Sequence, residues 1–525
     1  MVRWLIVVAA AHLTTEGLVS AQAEPLRGLD RYVTDALAQW RVPGVAVAVV
    51  RGDSVIVARG YGVKQIHRAD PVTARTMFEI GSTSKAFSSA LLAMLVDDGA
   101  VGWDDLVTKH LPWFELKDPY LTRSTTIRDL LSHRVGVTGA FNGYISSTRE
   151  EVIRRNRFLE PVVPFRSRYD YSNMMYATAG EVAAAVVRQP WEALLRDRLL
   201  TPLGMTETTT DIARFFDSTR FARCFYCPFP RDPVSLDHVL GKHDAAMPHL
   251  MRGDTVHPIP WQSYDNAVSA GSIISNVTEM AEWLRLLLGQ GTYRGRQLIK
   301  PETFRELHRP QSLITPTGWI DLVARASPST HFWAYGLGWR MNDYRGRRIV
   351  WHTGGIAGFL AYVGLLPEER LGVVILSNGD LGYELLPQSV GYWIYDSHIG
   401  APVRDWTAEL VPLMAADRRR LDEAQAKLAA SRERGTSPSR PLEWFAGRYA
   451  SDIFGGVSVR ADGDRLTFEI DGGAAGELVH WHRDVFRLQL NASNRGNYFT
   501  RFPPGPDGAP DQMVVDGLGQ FARAR

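Results

Sequence analysis

A serine and a lysine three places apart, Ser82 and Lys85 in FEIGSTSKAF, are residue types that can form an acyl-transfer pair if they share a helical turn. Side chains at i and i+3 lie on one face of a helix, so the two can touch. A serine hydroxyl is a weak nucleophile at neutral pH. A neighbouring amine accepts its proton once burial and nearby cations depress the amine's pKa. The same spacing also fits an ordinary helix opening, a capping serine followed by a solvated lysine. Company separates the two readings: further along, RYDYSNMMY carries Tyr171, Ser172 and Asn173, and WHTGGIAGF carries His352, Thr353, Gly354 and Gly355.

The elements that must position these residues follow from periodicity. GLDRYVTDALAQWRVPG has apolar residues at helical spacing and stops at Pro43-Gly44. VAVAVVRGDSVIVARGYG reads as two strands about a turn at Gly52-Asp53. After Ser82, the residues Ala86, Phe87, Ala90, Leu91, Met94 and Leu95 fall on one face of a helix that ends at Gly99. That helix is expected to begin at the serine and to be buried through that face. From Val101 to Lys300 the pattern is mostly helical with long loops, and NVTEMAEWLRLLLGQG is an amphipathic helix with Asn276 as cap and Gly289 near its end. Strand patterns return in RRIVWHTGG and AYVGLLPEERLGVVILSN. Strands from both ends flanking a helical insert predict an α/β (α+β) sandwich, an antiparallel sheet flanked by helices.

The chain has 525 residues, enough for two or three domains. An apolar content of 45%, a charged content of 22% and a net charge of +2 lack the basic excess of nucleic-acid binding, so a small molecule or short peptide is the expected partner. Residues 1–23 combine Arg3, an apolar run and Ala21-Gln22-Ala23, the pattern of a signal peptide cut after Ala23, which would place the mature chain in a periplasm or outside the cell. No later stretch reaches membrane-spanning length. The catalytic domain is expected over residues 24–400, a charged helical segment and linker over 401–441, and an all-β domain over 442–525, where GGVSVRADGDRLTFEIDGG alternates around Asp-Gly turns. Oligomeric state is not readable. Cys224 and Cys227 are read as a local disulfide or two plain thiols, since neither a metal set nor a βαβ context surrounds them.

The three motifs, in this order, resemble those of the serine β-lactamase and penicillin-binding-protein superfamily. Class C β-lactamases and the related family VIII esterases and D-aminopeptidases are the most similar branches. The likeness runs from about residue 28 to 397, through TTIRDLLSHRVGV, LLTPLGMTET, YGLGW and LPEERLGVVILSN; Val135 stands where relatives often carry a small hydroxyl residue. The tail, with FAGRY and HWHRDVFRL, resembles a lipocalin-like β domain appended to such hydrolases.

The resemblance implies that Ser82 attacks a carbonyl, that Lys85 and Tyr171 shuttle its proton, and that Asn173, Thr353 and Gly354 bind substrate. It also implies an oxyanion hole from the backbone N–H groups of Ser82 and Gly355. Tyr171 would act as a base only if a cation lowers its pKa, and Lys85 is the expected cation. His352, which the resemblance counts with Ser82, Lys85 and Tyr171 among the catalytic residues, replaces the lysine of many lactamases and is expected to give charge only when protonated, otherwise a hydrogen bond. That favours amide hydrolysis of short or non-standard peptides, D-residue-containing or linearised cyclic ones of the microcystin type included. Ester or β-lactam hydrolysis comes next, and a penicillin-binding sensor or scaffold is the non-catalytic alternative. No cofactor, metal or nucleotide motif is present. His480 and His482 read as a sheet face, and Asn276 and Asn491 begin glycosylation sequons.

Overall fold

A run of six apolar residues, Val45 to Val50 with Gly44 before it, forms a strand buried on both faces: Ala46, Ala48 and Val50 point into one hydrophobic core, and Val45, Val47 and Val49 into another. It belongs to an eight-stranded sheet in a computed structural model that describes residues 26–524 apart from 139–140, 225, 230–233, 242, 328, 381–384 and 491–492. The expected signal peptide and the Asn491 sequon lie outside the described residues.

The strand Gly44–Arg51 pairs antiparallel with Ser54–Gly62 on one side and with Leu371–Ser377 on the other, Val45 opposite Ser377. The sheet then continues through Phe359–Leu366, Arg347–Ile356, Arg340–Tyr344, Trp333–Tyr335 and Ser312–Leu313, all antiparallel. Helices Leu29–Trp40, Leu386–His398 and Trp406–Ala430 cover one face. The other face packs on Ser84–Asp97, Asn173–Val187 and Val277–Leu288, with the Phe87 and Trp283 rings stacked 4.1 Å apart.

Two local expectations are corrected. Ser82 lies in a 3₁₀ turn, Gly81–Thr83, and the α-helix starts at Ser84. Gly81 takes φ 51°, a left-handed value that the chain uses to bend from the strand Phe78–Glu79 into that turn. The helix is buried on every face from Ser84 to Leu95, not on one, because it runs through the interior with helices around it. Asn276 caps the Val277–Leu288 helix as expected, accepting from Glu279 N at 2.9 Å, but it is fully buried and so cannot serve as a glycosylation acceptor.

The last strands, from Gly447–Ser451 to Gly519–Arg523, close into an eight-stranded barrel, first strand paired with last. Barrel and sandwich meet at Tyr144: its carbonyl accepts from Ala474 N at 2.8 Å, and its hydroxyl lies 2.9 Å from that of Tyr498. Tyr144 also stacks on Tyr226, two residues into the Cys224–Cys227 disulfide loop. His480 and His482 sit on a barrel strand, His480 Nε2 bonded to Arg483 O at 2.9 Å. No helix among the described residues is long and apolar enough to cross a membrane.

The segment around His133 is fixed by a buried carboxylate. Asp129, with no exposed side-chain surface, accepts from Arg134 Nε at 2.5 Å, from Arg166 Nη2 at 2.7 Å and from Thr126 N at 2.9 Å. Burial alone would raise this carboxyl; hydrogen bonds from Arg166, Thr126 and Arg134 outweigh it and hold it below the ordinary aspartate value. Its contribution to stability is therefore present above pH ~4 and is lost as pH falls through the depressed folded value. Asp129→Ala strands two guanidiniums and should cost about 3 kcal/mol, read as a lower urea midpoint at pH 7; a change within 0.5 kcal/mol would show the cluster to be ornamental.

Candidate active site

Lys85 is completely buried, and its Nζ has three neighbours: Ser82 Oγ at 3.1 Å, Asn173 Oδ1 at 2.8 Å and Ala270 O at 2.8 Å. A backbone carbonyl only accepts, and the Asn173 amide is oriented by its Nδ2, which donates to Tyr264 Oη at 3.0 Å. Burial, with the Arg340 guanidinium adding to it, holds Lys85 well below the ordinary lysine range. A neutral amine has two N–H donors and one lone pair. Asn173 and Ala270 take the two donors, which leaves the lone pair on the Ser82 hydroxyl. This is the geometry of a general base beside a nucleophile.

Tyr171 flanks the pair, with Lys85 Nζ 4.8 Å from its ring centroid. The expectation that Lys85 lowers the tyrosine is not met. Burial pushes the Tyr171 phenol up, and the cation that counters it is Arg340, since a neutral Lys85 carries no charge to do so. Tyr171 is thus a phenol, able to pass a proton on but not a standing base.

His352 departs further from expectation. It is fully buried; its Nδ1 donates to Thr353 O at 2.6 Å, and its Nε2 accepts from Tyr335 Oη at 3.0 Å and faces Arg340 Nη1 at 3.5 Å. Burial, with the Arg340 guanidinium adding to it, keeps the ring neutral. With both nitrogens engaged inside the protein, His352 neither supplies charge nor meets a ligand. It positions Thr353 and its strand.

The fixed positive charge comes instead from Arg340, which sequence reasoning missed. Arg340 pairs across the sheet with Trp351, donates through Nη1 to Thr353 Oγ1 at 3.3 Å and through Nη2 to Tyr169 Oη at 3.3 Å, and its buried Nε meets no protein acceptor. The rings of Tyr171, Trp351, Trp319 and Tyr335 surround it at 5.5 to 5.9 Å. Among the described residues no carboxylate forms an ion pair with it. Two more residues escaped the motifs. His133, in a left-handed backbone conformation with φ 55°, accepts from Ser172 N at 3.1 Å and packs its ring 4.3 Å from that of Tyr171. Tyr264 orients Asn173 and lies over Gly271, where an added Cβ would come 3.2 Å from its ring.

Ser82, Tyr171 and Asn173 are half-buried and Gly355 is exposed, so the site opens on that side. The two glycine-bearing segments touch: a Cβ on Gly81 would lie 2.8 Å from Gly355 N, and one on Gly354 would lie 1.8 Å from Ile80 O and 3.2 Å from Ser82 N. That contact sets the Ser82 and Gly355 backbones side by side. Among the described residues no three His, Cys, Asp or Glu side chains converge where a metal ion could sit.

The family model described as Beta-lactamase matches residues 29–387. The chain belongs to the Beta-lactamase family. It is a serine hydrolase, with a second match over residues 431–523 to a domain of unknown function (DUF3471). Among members with curated names, the unguisins hydrolase ungD of Aspergillus violaceofuscus is 29% identical over 461 residues, which cover 83% of this chain and 77% of the relative. Protein flp of Staphylococcus aureus is 23% identical over 69% of this chain and 64% of its own length. Solved folds of the same kind include an octameric penicillin-binding protein homologue from Pyrococcus abyssi, TM-score 0.59 at 19% identity over 94% of this chain and 99% of that one. The D-amino acid amidase of Ochrobactrum anthropi SV3 gives 0.52 at 20% identity over 71% and 98%. At these identities the structural likeness speaks for the fold alone.

Gly354→Ala tests the packing of the two segments. A Cβ 1.8 Å from Ile80 O cannot be accommodated without moving the strand, so stability should fall by about 1–3 kcal/mol and hydrolysis should fall with it. A variant as stable and active as the parent would contradict the stated contact.

Proposed function

We propose that this protein hydrolyses amide bonds of short peptides containing non-standard residues through an acyl-enzyme on Ser82. The observation that carries the mechanism is the buried Lys85 amine, whose two donors are engaged by Asn173 and Ala270 and whose third neighbour is Ser82 Oγ. Ser82 Oγ attacks the carbonyl carbon as its proton passes to Lys85 Nζ. The carbonyl oxygen becomes an oxyanion facing the backbone N–H groups of Ser82 and Gly355. On collapse the C–N bond breaks, and the proton moves from Lys85 by way of the Tyr171 hydroxyl to the leaving amine. A water then attacks the ester, giving its proton back along the same path, and a carboxylic acid and free Ser82 result.

The choice of amide and of non-standard peptide rests on relatives named for an unguisins hydrolase and, in fold, a D-amino acid amidase. Arg340 refines it. A buried guanidinium with only neutral partners, one of them Thr353 of the third motif, suits a substrate carboxylate, which it would bind by charge-assisted hydrogen bonds. The histidine at 352 therefore does not leave the site without a fixed positive charge. Ester and β-lactam turnover remain the competing activities to be measured.

Mass-spectrometric incubation with L- and D-peptides, linearised cyclic peptides, p-nitrophenyl esters and a cephalosporin tests the proposal. Amide cleavage that disappears in Ser82→Ala is the expected result; ester or lactam turnover alone would reassign the substrate, and neither turnover nor an adduct on Ser82 would reject the catalytic role. Lys85→Met should lower kcat about 10²–10⁴-fold. The kcat/KM profile should fall on the acid side, where a protonated Lys85 cannot accept the serine proton, with a midpoint well below the ordinary lysine value; full activity only at pH 10 and above would exclude a neutral lysine base. Arg340→Gln should raise KM about tenfold for peptides with a free carboxylate and leave amidated ones unchanged, in line with one charge-assisted contact. An equal effect on both would make Arg340 purely structural.

A further inference from the structure

The strand that carries His352 to Gly355 begins at Arg347, and at that far end a cleft of about 600 Å³ opens between the Pro301–Leu307 helix, the end of the Val277–Leu288 helix and the turn Pro367–Glu369. Arg348 lines it, seven residues before Gly355, which places the cleft about 23 Å from the oxyanion backbone at strand rise. It is a separate site. Its volume is that of a small-molecule pocket.

Two residues that line it each carry a nitrogen buried without a protein partner: Nε2 of His308, a residue only 7% exposed, and Nε of Arg348. Buried polar nitrogens are rarely left so. The His308 ring cannot turn away to find a partner, since Phe304 and Trp339 pack edge-on against it at 4.9 and 5.3 Å. Burial, with Arg348 beside it, brings His308 down to about 3, so the ring is neutral. Further guanidiniums, Arg305, Arg309 and Arg370, border the cleft against two carboxylates, Glu302 and Glu306. Glu306 is already engaged by Arg128, by Gln311 Nε2 and by Arg309, whose Nη1 lies 3.6 Å from Glu306 Oε2, which leaves Arg305, Arg348 and Arg370 against Glu302. The balance of charge is positive, and Leu287, Leu288 and Leu365 supply an apolar wall beside it.

We propose that this cleft is a second ligand site, for a small organic anion whose oxyanion head meets Arg348, His308 and Arg370 and whose apolar body lies on Leu287, Leu288 and Leu365. A carboxylate and a phosphate monoester share that chemistry, and the probes separate them.

Isothermal titration of the full-length protein with hexyl phosphate, hexanoate and hexanol is the test. One-to-one binding of at least one of the two anions, ten-fold or more tighter than hexanol, is expected, and the tighter anion identifies the head group. Arg348→Gln should weaken that binding at least ten-fold. Arg370→Glu, on the exposed rim and so without risk to the core, should weaken it at least three-fold, while Arg340→Gln leaves it unchanged. The proposal is overturned if hexanol binds as well as the anions, if neither anion binds at millimolar concentration, if both cleft variants bind like the parent, or if Arg340→Gln abolishes the signal and thereby places the anion in the hydrolytic site.

Discussion

A lysine nitrogen that never reaches water dictates how the catalytic half of this chain is assembled. An ammonium in such a place would be costly unless paired with a carboxylate, and Lys85 has none among the described residues; the neutral amine, with each N–H on an acceptor, is the state the surroundings favour. Those acceptors arrive from far away in sequence, Asn173 from the start of one helix and Ala270 from a turn 185 residues beyond the lysine. Three elements must therefore dock correctly before the amine is satisfied. Once they have, the base already lies against Ser82, so the hydroxyl is addressed before any substrate enters. Preorganisation of this kind removes reorientation from the reaction step.

Charge in the site is divided between two cations with different duties. Lys85 and Arg340 are both deeply buried, and the guanidinium adds to the cost of charge on the amine, but a guanidinium keeps its proton where an amine does not. The lysine is the group that yields. Arg340 stays charged, held among aromatic faces and neutral hydroxyls, and burial, with that charge added, keeps His133 and His352 neutral. The third motif has accordingly exchanged its own cation for a histidine that orients Thr353, with the charge delivered from the neighbouring strand.

What could be read from the sequence was whatever repeats locally. Ser82 and Lys85 are three apart on one turn, the strands after Val45 and the barrel strands alternate or run apolar, and Asn276 announces its helix. The antiparallel sheet flanked by helices and the closed terminal barrel follow from those patterns. Arg340 carries no such signature. It follows YGLGW as one more polar residue on a strand, and only the register that sets Arg340 against Trp351, one position from His352, brings it to the site. Tyr264 is hidden for a similar reason, in a 3₁₀-containing loop whose meaning depends on Gly271 leaving room for its ring. The wholly buried helix after Lys85 misled through its serines: Ser88 donates to Ser269 O at 2.6 Å, and the Ser84 hydroxyl accepts from Ile273 N at 3.2 Å, so residues that look solvent-facing are instead bonded to the neighbouring turn.

The barrel reaches the same nitrogen by a traceable route. Ala474 N holds the carbonyl of Tyr144; the next carbonyl, that of Ile145, accepts from Asn266 Nδ2 at 3.0 Å; Asn266 lies two residues from Tyr264; and Tyr264 orients the Asn173 amide that Lys85 donates to. Every link is a hydrogen bond or a short stretch of backbone, with the Cys224–Cys227 loop braced against its middle through the Tyr144–Tyr226 stack. Such a chain has a definite polarity of dependence. Asn173 is held at both ends of its amide, its Nδ2 by Tyr264 and its Oδ1 by Lys85, and the Tyr264 carbonyl in turn accepts from Ala267 N at 2.9 Å. The tail thus buttresses the substrate-facing wall, which makes the geometry at Lys85 a property of both halves of the molecule.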